Sequence, residues 1–277
     1  MRTEKINSGV EMWNVVQFDS LIEFYKYLEE TPVNKSFQFR AHDLSSKRPG
    51  LWSGTNSYEE AIDLFKNGWS AGAKDLTKNL KLAETNEEAQ TIYKNILSMA
   101  GYQAIVPLYL NGVPNNMLSK KQILVKNKVI TINKVISASS GVSSEKLMNE
   151  SIKCFQIIKK IESSGIRVNL NLMMGTGHAC VKIRLKSAGE RLNISKLAFP
   201  LVHTAMFRRL YFRFVEIYPT IPKNFVWSYG RVPSEKEFKN VCRKDEVVLP
   251  TLLTWEGKSE EIKTLSVDQL IERLSVK

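Results

Sequence analysis

Lys182, Arg184 and Lys186 recur at every second position of an alternating run. Arg208, Arg209 and Arg213 follow in one stretch that also carries Tyr211 and Phe212. A period of two puts the first three on one face of a strand. Guanidinium forks match phosphate oxygens in charge and geometry, and an exposed aromatic ring can stack on a base. These six basic residues are therefore the expected contacts to a nucleic acid, DNA or RNA. Other readings stand beside that one. Lysines on an edge strand also block edge-to-edge aggregation. Tyr211, Phe212 and Phe214 would also suit a core, and Arg213 can pair with Glu216 three residues on.

The charge distribution supports the first reading. The chain has 277 residues, with 40 Lys+Arg against 28 Asp+Glu and a formal charge of +12. Residues 1–120 hold 13 basic and 14 acidic residues, and residues 214–277 hold 10 of each. Residues 121–213 hold 17 against 4, so the whole surplus lies in one block. Such a block is the electrostatic footprint of a partner that is a polyanion, either nucleic acid or an acidic protein surface. A solvated basic face that aids solubility is the plainer alternative.

Other chemistries find less support. His178 and Cys180 sit two apart, but zinc needs about four such ligands. Cys154, Cys242 and His203 lack metal-site spacing, and Cys154 falls on the apolar side of its helix. Gly175-Thr176-Gly177 leads from one alternating run into another, so it reads as a hairpin turn and not as a phosphate loop opening a helix. A metal-dependent nuclease needs clustered carboxylates. The basic block has only Glu145, Glu150, Glu162 and Glu190, and no Asp lies between Asp75 and Asp245. No catalytic residue, metal or cofactor is expected, and the protein is not expected to be an enzyme. Trp52, Gly54, Trp69 and Met117 are expected to shape the N-terminal region, where an exposed cluster of them would mark a protein-binding surface.

These residues must be positioned by ordinary globular elements. Hydrophobic residues make up 43% and charged residues 25%, which excludes wholesale disorder. No apolar run approaches the roughly 18 residues needed to span a bilayer, and the N-terminus lacks a signal-peptide core, so no membrane partner is expected. Three widely spaced cysteines fit a reducing cytoplasm. Ser20 caps an expected helix before Pro32, and Ser36–Ala41 reads as a short strand. Ser57-Tyr58-Glu59-Glu60 is a capping box for a helix that Gly68 ends. Residues 73–83 and 86–99 read as helices, and 106–117 as a shaped loop or extended segment because of Pro107, Gly112 and Pro114.

From residue 121 the pattern turns to strands. Gln122–Ile136 reads as strand in two pieces, and Ser143 or Ser144 caps an amphipathic helix to about Ser163. Val168, Leu170 and Leu172 alternate with Arg167, Asn169 and Asn171. Ala179, Val181, Ile183 and Leu185 alternate with Cys180, Lys182, Arg184 and Lys186. A helix over 201–217, strands near 225–229 and 247–254, and a C-terminal helix from Ser266 complete the reading.

The order strand 129–136, helix 144–163, strand 167–173, edge strand 179–185, helix 201–217 resembles the first half of a von Willebrand factor A-like domain, over about residues 121–255. That family's metal motif, Asp-x-Ser-x-Ser, corresponds here to Ile136-Ser137-Ala138-Ser139-Ser140, which lacks the Asp. The resemblance therefore implies the fold without the metal. Trp52-x-Gly54-x-x-Ser57-x-Glu59-Glu60-Ala61, Val106-Pro107-x-Tyr109-Leu110-x-Gly112-x-Pro114-x-x-Met117 and Phe199-Pro200 through Arg208-Arg209 resemble an uncharacterised family encoded by bacteriophages and mobile elements. That resemblance implies a viral context in a bacterial host cytoplasm, or in a virion, and no mechanism. The expected fold class is α/β: a von Willebrand A-like mixed sheet with flanking helices over 121–277, plus a mainly helical, near-neutral region over 1–120. The expected function is non-enzymatic nucleic-acid association through phosphate contacts. The alternative is a protein-interaction module, a virion component or an inhibitor of a host factor, that docks an acidic partner.

Overall fold

The computed structural model describes residues 1–10, 12–32, 53–82, 93–122, 129–138, 142–163, 165–176, 179–218 and 232–249. The fold is mixed α/β. Strands β1 (Arg2–Asn7) and β2 (Met12–Phe18) precede helices α1 (Leu21–Glu30), α2 (Tyr58–Asn67) and α3 (Ser70–Leu82). A small unit follows: β3 (Tyr93–Ser98), β4 (Gln103–Ala104), α4 (Val106–Leu110) and β5 (Met117–Gln122). Then come β6 (Val129–Val135), α5 (Ser144–Ser163), β7 (Arg167–Gly175), β8 (Ala179–Lys186) and α6 (Ile194–Val202). A π-helical segment (Met206–Tyr211), α7 (Phe212–Ile217), α8 (Glu235–Asn240) and β9 (Val247–Leu249) complete the described chain.

Local chemistry sets several of these boundaries. Ser20 and Ser57 each accept a hydrogen bond from the backbone N–H three residues on, at 3.1 Å. Glu60 reaches back to the N–H of Asn56, one residue earlier than an ideal capping box. Gly68 ends α2. The Ser143 hydroxyl accepts from the N–H of Lys146, which makes Ser143 the cap of α5.

The main sheet has the order β1-β2-β8-β7-β6-β9. The β6–β7 and β6–β9 pairs are parallel, and β7–β8 is an antiparallel hairpin that Thr176 closes by donating from its N–H to the Ala179 carbonyl. β2 runs parallel to β8, with Val16 beside Val181 and Phe18 beside Ile183. The expected edge strand is therefore interior. The N-terminal region, expected to be mainly helical, supplies two strands of the same sheet.

One face of the sheet carries Ile130, Ile132, Val168, Leu170, Leu172, Val181 and Ile183. It packs in a single apolar core with Phe24 and Leu28 of α1, Leu76 of α3, Phe155 and Ile158 of α5, and the buried segment 197–217. That core draws on both sides of residue 120. The opposite face is covered at one end, where Phe238 and Val241 pack on Trp13, Val15, Val135, Met173 and Cys180.

Three sequence expectations are corrected. Tyr93–Ser98, expected at the end of a helix, is a strand paired in register with β5. Val106–Leu110, expected as loop, forms a short helix, because Pro107 sits in its first turn, where a missing N–H costs nothing. The stretch 201–217 is not one helix. Pro200 falls inside α6, His203 adopts an extended backbone as its C-cap, and a π-helical segment then leads into α7. The expected strands at 36–41 and 225–229, the C-terminal helix from Ser266, Trp52 and His178 lie outside the described residues.

Candidate nucleic-acid interface

The six basic residues expected to form one solvated face do not form one. Lys182 and Arg184 lie on the sheet face that also carries Met173 and Asn171. The register then slips by one residue, so that Arg184 opposes Asn171 while Lys186 opposes Leu170. Leu185 is the extra residue of this β-bulge, and the parity of the strand reverses after it. Lys186 therefore turns to the helix-covered side. It is 2% exposed and donates to Glu162 of α5 at 2.5 Å and to the Val168 carbonyl at 3.0 Å. Lys182 is half-buried and donates to Glu246 at 2.6 Å. Of the three, Arg184 faces solvent.

Arg208, Arg209 and Arg213 are all buried. Arg208 donates to the Val142 carbonyl at 3.1 Å, and Arg209 to the Thr55 carbonyl at 3.0 Å. Arg213 lies over the Tyr58 ring, with Glu216 4.0 Å away. Burial pulls the Arg208 guanidinium down to about 10. Tyr211, Phe212 and Phe214 are core residues as well. This segment is buried on every side, and the charges of Arg208 and Arg209 go to carbonyls of other segments. These arginines hold the loop before α2 and the start of α5 against the core.

A polar surface of different composition lies on the side of the sheet away from α5. Arg2 and Gln17 of the first hairpin share a side with Lys182, and Asn133 and Asn171 share it with Arg184. Thr131, Asn169 and Arg167 continue the same side toward the start of β6 and β7. The polar groups are knitted together. Asn171 donates to Asn133 at 2.9 Å, Asn133 to Glu246 at 2.8 Å, and Lys182 to the same carboxylate oxygen. Asn169 accepts from the N–H of Ala188 at 2.8 Å. Arg2, Arg167 and Arg184 are exposed, and Arg2 also reaches Asp19 at 3.5 Å. The network fixes the floor, and the guanidiniums of Arg167 and Arg184 are exposed at its margin. Asn169, Asn171 and Arg167 were visible in the sequence as the polar half of an alternating strand. Glu246 gave no such signal.

The remaining candidates are structural. Cys154 is in the core as its helix face implies, and burial pushes its thiol up to about 11. Burial likewise pushes Cys242 up to about 12. Cys154, Cys180 and Cys242 are free. Ser137, in the stretch compared with a metal motif, donates to the Gly175 carbonyl at 3.0 Å and accepts from its N–H at 2.7 Å. Among the described residues no three His, Cys, Asp or Glu side chains gather around a point that could hold a metal ion. Nor is any helix there long and apolar enough to cross a membrane.

No curated protein and no solved structure matches the chain. One family model does, over residues 7–276. The match takes in every described helix and every described strand but most of β1, so the chain belongs to the family described as Domain of unknown function (DUF7192).

Proposed function

We propose that the protein is a non-enzymatic nucleic-acid-associated protein of phage or mobile-element type, acting in a bacterial cytoplasm and binding mainly through phosphate contacts. The observation that carries this reading is the segregation of charge, with 17 basic against 4 acidic residues in 121–213. The polar sheet side supports it, because Arg167 and Arg184 of that block are exposed on the side that also carries Arg2. The buried arginines and the paired lysines are withdrawn from the contact set. Three phosphate contacts release condensed counterions at a slope of roughly 0.9 each. Raising salt from about 50 to 200 mM should then weaken duplex binding by about 40-fold.

The test is fluorescence anisotropy of the full chain with labelled duplex and single-stranded DNA and RNA across that salt range. Arg167→Glu with Arg184→Glu should flatten the salt slope and weaken binding to all sequences alike. Absence of binding at about 50 mM salt and micromolar protein would discard this reading. It would favour a protein-interaction module whose basic side docks an acidic partner.

A further inference from the structure

The unit over 93–122 exposes an unusual surface. It holds Lys94, Lys120 and Lys121 and no Asp or Glu. Its three strands pair in the order β3-β5-β4, apart from the main sheet. Yet Met99 is 73% exposed, Tyr102 55%, Val106 61%, Tyr109 66% and Leu110 76%. Val106, Tyr109 and Leu110 are spaced i, i+3 and i+4, which puts them on one side of α4, and that side faces solvent. Apolar groups left in water at this density mark an interaction site.

Tyr102 is also held in one orientation. Its N–H donates to the Leu118 carbonyl at 2.9 Å, and its hydroxyl donates to Asn95 Oδ1 at 3.1 Å. The Lys120 ammonium stands 5.5 Å from the ring centroid, and Lys120 is the cross-strand partner of Asn95. Gly101 makes this placement possible. A Cβ there would come within 2.0 Å of the Leu118 carbonyl oxygen, so only glycine lets the chain cross β5 and lay Tyr102 on its far side.

We propose that this unit is a stacking platform for single-stranded nucleic acid, with Tyr102 and Tyr109 as the rings and Lys120 of β5 as a phosphate partner. The proposal rests on the nucleic-acid reading above and adds the strandedness. The argument is complementarity of two kinds. A single strand is the polyanion that offers both negative charge and bare planar apolar faces, and a duplex hides those faces in its stack. A segment without a carboxylate of its own, with Lys120 beside a fixed and exposed aromatic ring, matches both features. A lipid bilayer offers charge and apolarity but no plane to match an oriented ring.

The test uses the full chain with an oligothymidylate of about 16 nucleotides and a duplex of the same length. The wild type should prefer the single strand. Tyr109→Ala, at a side chain far out in solvent, should weaken single-strand binding by about tenfold and leave the duplex and the melting temperature unchanged. Tyr102→Ala should do the same, and Tyr102→Phe should retain most of the affinity because the ring remains. Equal single-strand affinity in wild type and both alanine variants would overturn the platform while leaving duplex binding, and so the broader reading, intact. Binding to phosphatidylglycerol vesicles that the same variants abolish, without single-strand preference, would overturn it in favour of a lipid surface. A wild type that binds neither nucleic acid removes both proposals together.

Discussion

His203 is a residue whose protonation the fold opposes within the range where histidine titrates. Its Nδ1 accepts from the N–H of Ala205 at 3.1 Å. Its ring stacks on Phe199 at 4.9 Å and meets the edge of Trp69 at 4.7 Å. Burial drags its pKa from 6.5 to about 4. The unfolded chain therefore takes up a proton below pH 6.5 that the folded chain refuses until about pH 4. Stability from this group is present above pH 6.5 and is lost as pH falls through that window, by up to about 3 kcal/mol. Urea denaturation of wild type and His203→Gln at pH 7 and pH 4.5 reads the effect. The wild type should lose more stability between the two pH values than the variant, and equal losses would show that His203 does not titrate as its surroundings imply.

The arginines separate folding from binding at the same scale. Arg209→Met leaves the Thr55 carbonyl without its buried donor and should lower stability by about 1–3 kcal/mol. Arg184→Glu, at an exposed site, should leave the melting temperature within a degree or two and weaken polyanion binding. If Arg209→Met kept full stability and lost binding instead, the buried assignment would be wrong. The residue types at these positions were legible, and their environments were not. Arg208 meets a carbonyl 66 residues away, and Arg209 one 154 residues away. Periodicity within one helix assigns a wet side by default, and contacts at such separations decide otherwise.

At the scale of elements, local signals served well where they were complete. The strand–helix–strand–hairpin series from 129 to 186 combines β-branched strands, a serine cap and a period of two. What the pattern hid was a single inserted residue. The bulge at Leu185 keeps the alternation of letters intact while turning Lys186 from the Arg184 side to the Glu162 side. The parallel pairing of β2 with β8 joins residues about 165 positions apart and leaves no local trace. The loop before α2 shows how tightly such distant elements fit. Gly54 has φ +77, and a Cβ there would lie 2.5 Å from Thr204 Oγ1 and 3.0 Å from the His203 ring. Thr204 also donates to the Ser53 carbonyl at 2.8 Å. Gly54→Ala adds a left-handed backbone penalty to that clash and should destabilise by about 2 kcal/mol or more. A lowered urea midpoint with an unchanged slope is the expected result, and an unchanged midpoint would mean that the loop is free to withdraw from Thr204.

For the whole molecule, the charge asymmetry and the packing divide the chain differently. By charge, residues 1–120 are dispensable, since they are nearly neutral and the surplus lies beyond them. By packing they are not. β2 is the lateral partner of β8, and Phe18, Phe24, Leu28, Leu76 and Leu80 are buried in the same core as Phe155, Leu172 and Ile183. Burying each such side chain contributes roughly 1.5–3 kcal/mol. Removing five of them forfeits about 10 kcal/mol, comparable to the entire stability of an ordinary domain. Truncation would also strip β8 of its neighbour and leave its backbone groups as an open edge, a template for aggregation. Residues 121–277 expressed alone should therefore give aggregated or poorly structured material, by circular dichroism and size-exclusion chromatography, even though they hold every surplus charge. Polyanion binding by that material would report charge without structure and should not discriminate single strand from duplex. A soluble fragment with cooperative unfolding would show that the sheet tolerates the loss of β1 and β2, and that the two parts of the chain fold independently.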